Sequence, residues 1–230
     1  MKKFLSIITM ALMVAFSFSF SNSTQAAQST PLNKVPDQIK LIKEHSTTLT
    51  EAQVQKTLDI VQKAIASNQI EVKGDINKLD FANASGYKFD KEQDNTTIIT
   101  IPFTDNSKTD VSSLNNVTVA LDVKLEILEY SEIKIEETKD TAKSTVYANG
   151  EKVGSNEIKK GGQDYELKTG YIDRVNACMK KFGVTPETAA LAISTCGTVC
   201  TVSLGTLCLP CLGIFSAAGG GVIIGCFMNS

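Results

Sequence analysis

Apolar residues recur every three or four positions in one stretch near the start of the chain, which is typical of one face of an α-helix. They are Val54, Leu58, Val61 and Ile65. Ahead of them, Thr50 and Gln53 have the spacing of a capping box, in which each side chain bonds the other residue's backbone amide. We therefore predict a helix from Glu51 to about Ala66. The polar segment 46–48 before it is typical of a turn.

After residue 68 apolar and polar residues alternate, as in strands with one buried face. The alternating stretches are 70–73, 87–90, 97–101, 117–129 continuing to 133–136, and 144–148 with 152–154. Asn149 and Gly150 lie between the last two and form the strongest short-range hairpin signal, because both residues accept positive φ. We expect an α+β region with one helix plus an antiparallel sheet of about five strands.

The last part of the chain follows neither pattern, since 188–230 contains no charged residue or histidine. Pro186, after Thr185, suits the first turn of a helix, and Leu209-Pro210 interrupts the apolar run before a second predicted helix over 212–228. Each half approaches the roughly 20 residues that span a bilayer. A membrane-entering hairpin and a buried hairpin of a larger fold both remain open. The predicted membrane-active residues are Ala189, Leu191, Ile193, Leu204, Leu212, Ile214, Phe215, Gly221, Ile223, Ile224 and Gly225.

All cysteines lie in the final quarter of the chain: Cys178, Cys196, Cys200, Cys208, Cys211 and Cys226. An even count in an exported chain favours three disulfides, whose pairing the spacing leaves open. The sequence thus predicts a small disulfide-stapled, mainly helical apolar module. A zinc site at Cys196-x3-Cys200 and Cys208-x2-Cys211 fits an oxidising compartment and this apolar context less well. A redox pair at Cys208 and Cys211 is also less favoured, because the βαβ context of such a motif is missing.

The first residues have the layout of a secretory signal peptide. Met1-Lys2-Lys3 is cationic, 4–20 is an uncharged apolar run, and 21–27 is small and polar. A transmembrane anchor is the alternative, but the short apolar core and small-residue exit favour cleavage. We expect a signal peptide over 1–26 and a secreted, extracellular protein.

The middle region of the chain is acidic and contains no cysteine. Segment 27–170 contains 18 lysines and 23 acidic residues, a net charge of −5, with no cysteine and only His45 as histidine. The acidic residues of the alternating runs, Glu126, Glu129, Glu132, Glu136 and Glu137, are interpreted as a solvated sheet face. No nucleophile elbow, phosphate loop or zinc-binding helix motif is present. We therefore expect no enzyme activity, no cofactor or metal, and no nucleic-acid partner.

The two regions meet at Lys159-Lys160-Gly161-Gly162, a flexible, protease-accessible sequence or an ordinary interdomain loop. The predicted organisation is a signal peptide (1–26), an α+β pro-region or immunity-like domain (27–160), a linker with a possible processing site (161–170) and a Cys-rich apolar peptide (171–230).

A resemblance follows from this order and from two segments, Cys196-Gly197-Thr198-Val199-Cys200-Thr201 and Ser216-Ala217-Ala218-Gly219-Gly220-Gly221. Together they resemble precursors of the halocin C8 type of bacteriocin. The resemblance covers roughly 178–226, and this chain has fewer cysteines than the archaeal type member, whereas its Met-Lys-Lys leader looks bacterial. It implies that a protease releases the C-terminal peptide as the antimicrobial agent and that the N-terminal part acts as its immunity protein.

The expected function is therefore a secreted bacteriocin precursor. Its peptide kills related cells by acting on their membrane, and the N-terminal region shields it or gives immunity. The expected partners are the target-cell membrane, a processing protease and the pro-region itself. The alternative is an exported structural or binding protein, anchored in the membrane by its C-terminal apolar hairpin.

Overall fold

The computed structural model describes residues 44–90, 94–104, 114–161, 174, 177–178, 181 and 185–202. The predicted signal peptide, most of the predicted linker and the second predicted C-terminal helix lie outside these residues. The described helices are α1 (Glu51–Ala66) and α2 (Pro186–Val202), with short 3-10 turns at Ile76–Lys78 and Phe81–Asn83.

Seven strands form one antiparallel sheet in which each strand pairs with its neighbours in chain order. They are β1 (Ser46–Thr48), β2 (Ser85–Phe89), β3 (Thr97–Pro102), β4 (Asn116–Leu121), β5 (Ile127–Glu137), β6 (Thr141–Ala148) and β7 (Glu151–Lys159). The edges are therefore the short β1 and the longer β7, which carries exposed charged residues that oppose further strand addition.

Helix α1 has the bounds that the sequence predicts, and the reason is local. The amide of Thr50 donates to Oε1 of Gln53 (2.8 Å), and the amide of Gln53 donates to Oγ1 of Thr50 (3.4 Å). This capping box satisfies two amides that have no partner within the helix. The chain leaves the helix at Asn68, which adopts a positive φ of 59°.

One face of the sheet, the α1 face, forms an aliphatic core with α1. The sheet contributes Ile99, Ile101, Val117, Val119 and Leu121, and the helix contributes Leu58, Val61, Ala64 and Ile65. The register pairs Ile99 with Val119 and Ile101 with Val117, so these side chains lie on the same side. Burying each large aliphatic side chain contributes roughly 1.5–3 kcal/mol, so this layer contributes substantially to the stability of the described N-terminal region.

The predicted fold class is wrong, because the described region is mostly sheet and has seven strands rather than about five. The long alternating run 117–129 is interrupted by a turn. Oδ1 of Asp122 accepts hydrogen bonds from the amides of Lys124 and Glu126 (2.8 Å each), and Leu125 adopts a φ of 65°. This side-chain turn separates β4 from β5 without the glycine or proline that usually marks such a break.

Two further local predictions are also corrected. Segment 70–73 is not a strand. The amide of Ile70 donates to the carbonyl oxygen of Ala64 in α1 (3.1 Å), and the amide of Glu71 donates to the Tyr130 hydroxyl of β5 (3.1 Å). Segment 46–48, predicted as a turn, is the edge strand β1 and pairs with β2. By contrast, Asn149 (φ 49°) and Gly150 (φ 82°) form the predicted turn between β6 and β7.

The prediction that the acidic residues of the strands form a solvated face is wrong for Glu132, which is only 2% exposed. Its Oε2 accepts a hydrogen bond from the amide of Lys73 (2.6 Å), and its Oε1 accepts one from the amide of Gly74 (2.7 Å). Burial raises the pKa of Glu132, and these two hydrogen bonds oppose the rise. Glu136 is exposed and pairs with Lys134 (2.9 Å), as a solvated face requires. Glu132 therefore anchors the segment after α1 to the sheet.

Candidate functional site

Helix α2 packs on the opposite side of the sheet from α1, over β6 and β7. We call this side the α2 face. Strand register places Ser144 of β6 beside Asn156 of β7, and Val146 beside Gly154. These four residues lie at the site where the C-terminal helix and the sheet region meet.

The start of α2 follows from the sequence. The amide of Thr188 donates to Oγ1 of Thr185 (3.2 Å), the arrangement of a helix N-cap. Pro186 is the first helical residue, where its missing amide costs no hydrogen bond. Beyond this cap the buried side chains of α2 follow helical spacing and form one stripe, so the helix presents a single face to the sheet. They are Thr188, Leu191, Ala192, Thr195, Cys196 and Val199, with Ala190 beside them.

Among the described side chains, three hydrogen bonds join α2 to the sheet. Oγ1 of Thr195 donates to Oγ of Ser144 (2.8 Å) in a buried position. Nδ2 of Asn156 donates to the carbonyl oxygen of Ser194 and to Oγ1 of Thr198 (3.3 Å each). The two sheet residues therefore bond hydroxyl and carbonyl groups one helical turn apart, which fixes the position of α2 along β6 and β7.

Gly154 permits a close approach between α2 and the sheet. An ideal Cβ atom on this residue would lie 2.4 Å from Cγ2 of Thr198, far inside van der Waals contact. The same Cβ would lie 3.5 Å from Cβ and 3.6 Å from Oγ1 of Thr198, which is ordinary contact. The methyl group of Thr198 therefore occupies the space that any other residue at position 154 would fill.

The α2 face differs in chemistry from the α1 face, because many of its buried positions are small or polar. In its central strands, Oγ1 of Thr100 and Oγ1 of Thr118 lie 3.0 Å apart, and Oγ1 of Thr118 donates to Oδ1 of Asn116 (3.1 Å). Nδ2 of Asn116 donates to the carbonyl oxygen of Leu114 (2.6 Å). Within the described residues, every buried side-chain nitrogen or oxygen has a partner. Such a face tolerates water better than a purely aliphatic layer.

The structure places one of the predicted membrane-active residues in this contact. Leu191 is completely buried in the α2 stripe. Ala189 and Ile193 belong to α2, but their side chains lie outside the described residues. So do the remaining residues of the predicted set: Leu204, Leu212, Ile214, Phe215, Gly221, Ile223, Ile224 and Gly225.

Cys178 and Cys196 are each disulfide-bonded, and no described cysteine is free. Cys196 is 2% exposed and lies in the stripe that faces the sheet. A sulfur in a disulfide is not a thiolate, so Cys196 has no role as a zinc ligand here. The side chains of Cys200, Cys208, Cys211 and Cys226 lie outside the described residues, and the predicted pairing stays open.

The described ranges contain no group of three His, Cys, Asp or Glu side chains placed to hold a metal ion. In the same part of the chain no helix is long and apolar enough to cross a membrane. His45, the single histidine, lies at the β1 edge with its Nδ1 2.9 Å from Oδ2 of Asp90.

Sequence reasoning missed the sheet residues of this site, Ser144, Gly154 and Asn156, and the hydroxyls that face them. One signal was present: Ser144 occupies an inward position in the alternation of Ala142, Val146 and Ala148, where a larger apolar residue is usual. A small polar residue at such a position marks close approach of another element, but it does not identify that element.

The described region is thus an antiparallel sheet with α1 on one face and α2 on the other, and its candidate site is the contact between the sheet and α2. No protein-family model, curated protein or solved structure matched this chain.

Proposed function

We propose that this chain is a secreted bacteriocin precursor whose C-terminal, disulfide-rich peptide acts on the membranes of related cells. In this proposal the sheet region shields the peptide until a protease releases it, and it gives immunity by binding the same surface. The observation that carries the proposal is the burial of the α2 stripe, including Leu191 and Val199, against a sheet face that mixes polar residues such as Ser144 with aliphatic ones such as Val146.

The physical argument concerns where apolar surface lies before and after release. From residue 188 onward the tail has no charge, and an exposed apolar surface of this kind aggregates or enters membranes. Packing against the sheet covers part of it in the precursor. No cysteine occurs before Cys178, so a cut in 161–170 leaves no covalent link between the sheet region and the peptide.

Analysis of culture supernatant tests the release of the peptide. We expect a peptide of roughly 60 residues or fewer, six hydrogens lighter than its reduced mass, as three disulfides require. The purified peptide is expected to release dye from lipid vesicles, whereas the uncut precursor releases little. If only full-length protein is found, and only in the membrane fraction, the result would instead favour an exported binding protein that is anchored in the membrane by its C-terminal hairpin.

The position of the cut gives a second prediction. Nζ of Lys160 donates to Oε2 of Glu137 (2.6 Å) and to the carbonyl oxygen of Thr138 (2.9 Å), while Lys159 pairs with Thr141 in the sheet. Proteases need a locally unfolded substrate, so these contacts protect the two lysines. We expect the N-terminal product to retain Lys160, which intact-mass measurement of both fragments checks. A product that ends before Lys160 would contradict this expectation.

A further inference from the structure

We infer that the α2 face around Ser144, Gly154 and Asn156 is a recognition site for the chain's own segment 186–202, and that it continues to hold this segment after the chain is cut. This inference rests on the proposed release of the peptide and adds what the sheet region recognises. The partner is an apolar helix whose single charged residue, Glu187, lies in its first turn, and whose hydroxyl residues Ser194, Thr195 and Thr198 lie at the contact with the sheet.

Hydrogen bonding supports recognition of this helix in one position. Asn156 bonds both Ser194 and Thr198, and Ser144 bonds Thr195. A shift of α2 by one residue would remove these partners and leave the buried hydroxyl of Ser144 without one. The contact therefore selects a pattern of hydroxyl groups rather than any apolar helix.

The steric fit between Gly154 and Thr198 is a second, independent reason why the sheet binds this helix in one position. The methyl group of Thr198 fills the space above Gly154, where a Cβ atom would lie 2.4 Å away. Only glycine at position 154 accepts a branched residue at this point of the helix. Gly154 does not have a positive φ, so alanine there conflicts only with α2 and not with the strand backbone.

Association after cleavage requires that the sheet region have its own core. The aliphatic layer between α1 and the α1 face supplies this core from residues before position 122. Departure of α2 would expose polar groups such as Ser144 and Asn156, which water can hydrate, together with the aliphatic side chain of Val146, whose exposure favours rebinding. The sheet region is therefore suited to release and to rebind its partner.

The test uses the full chain with a site-specific protease sequence placed within 162–170. After the cut, no disulfide joins the fragments, and gel filtration reports whether they remain together. We expect the wild-type fragments to co-elute. Gly154→Ala is expected to weaken their association roughly tenfold to a hundredfold, since overpacking of a close contact commonly has this effect.

A second substitution makes the steric test specific. Thr198→Ser removes Cγ2 and keeps the hydroxyl that Asn156 bonds, so Gly154→Ala with Thr198→Ser is expected to restore co-elution. Thr198→Leu enlarges the helix side of the contact and is expected to separate the fragments while leaving the sheet sequence unchanged. Glu157→Ala, at an exposed neighbouring position, is the matched control and is expected to behave as wild type.

The possible outcomes are distinct. Separation of the wild-type fragments overturns the inference. Co-elution of the Gly154→Ala fragments at wild-type affinity also overturns it, and so does separation of the Glu157→Ala fragments. If Gly154→Ala prevents folding, Thr198→Leu decides the same question, and its co-elution at wild-type affinity overturns the inference. If the fragments bind as expected but the separated peptide does not release dye from vesicles, the proposed bacteriocin function fails while the recognition site stands.

Discussion

Replacement of Leu191 with alanine is expected to destabilise the packing of α2 on the sheet by about 2–5 kcal/mol. The side chain is completely buried in the stripe that faces β6 and β7. Its removal loses the transfer free energy of the deleted atoms and leaves a cavity that the sheet fills only in part. We expect the amides of α2 in the full-length chain to exchange with solvent faster, and hydrogen exchange read by mass spectrometry measures this.

Leu128→Ala provides the matched control, because it deletes the same atoms from a side chain that is 54% exposed on β5. Its effect on stability is expected to stay within about 0.5 kcal/mol. Equal effects of the two substitutions would mean that Leu191 does not hold α2 on the sheet. Faster exchange confined to α2 in Leu191→Ala would instead show that the helix opens as a separate unit, as release of a peptide requires.

Replacement of Glu132 with alanine is expected to lower the free energy of unfolding by about 2–4 kcal/mol. Its carboxylate accepts the amides of Lys73 and Gly74, and both donors lose their partner in the variant. The variant no longer buries the carboxylate charge, and this gain offsets part of the free energy lost with the two hydrogen bonds. Urea unfolding followed by circular dichroism measures the change.

Glu136→Ala serves as the control for this substitution, because Glu136 lies on the same strand but is exposed and forms an ion pair with Lys134. Its loss is expected to cost less than about 1 kcal/mol, as for other exposed ion pairs. Similar losses at positions 132 and 136 would contradict the anchoring role of Glu132.

The stability that Glu132 contributes is also expected to depend on pH. Burial raises the pKa of its carboxyl, so the folded chain holds the proton more tightly than the unfolded chain. The contribution is therefore fully present below the ordinary glutamate pKa of about 4.3 and is lost as the pH rises through the higher folded pKa. The difference in unfolding free energy between wild type and Glu132→Gln, which does not titrate, should shrink from pH 4 to pH 8. A difference that grows would show that the amide hydrogen bonds outweigh burial.

The α2 face links these results to the proposed function. A precursor of a membrane-active peptide needs a cover that binds apolar surface and yet remains folded when the peptide leaves. The α1 face supplies the permanent core, and the α2 face offers Ser144, Gly154 and Asn156 to the helix. The same surface would allow the sheet region to bind the free peptide, which is the physical requirement of immunity by sequestration.

Several features of this protein were determined by the sequence alone, because they depend on neighbours in the chain. The capping box at Thr50 and Gln53 begins α1, and Asn149-Gly150 forms the turn between β6 and β7. Thr185 and Pro186 begin α2 for the same reason. In each case a hydrogen bond or a backbone preference within four residues decides the structure.

Other features were decided only by the tertiary structure. The break between β4 and β5 depends on how the Asp122 side chain turns back on the backbone, which the continuous alternation of the run conceals. Glu132 is buried because amides 58 and 59 residues earlier lie against it. Thr195 meets Ser144 across 51 residues. Hydrophobic patterning predicts that a face is covered but does not identify the element that covers it, so the site at Gly154 was visible only after the chain had folded.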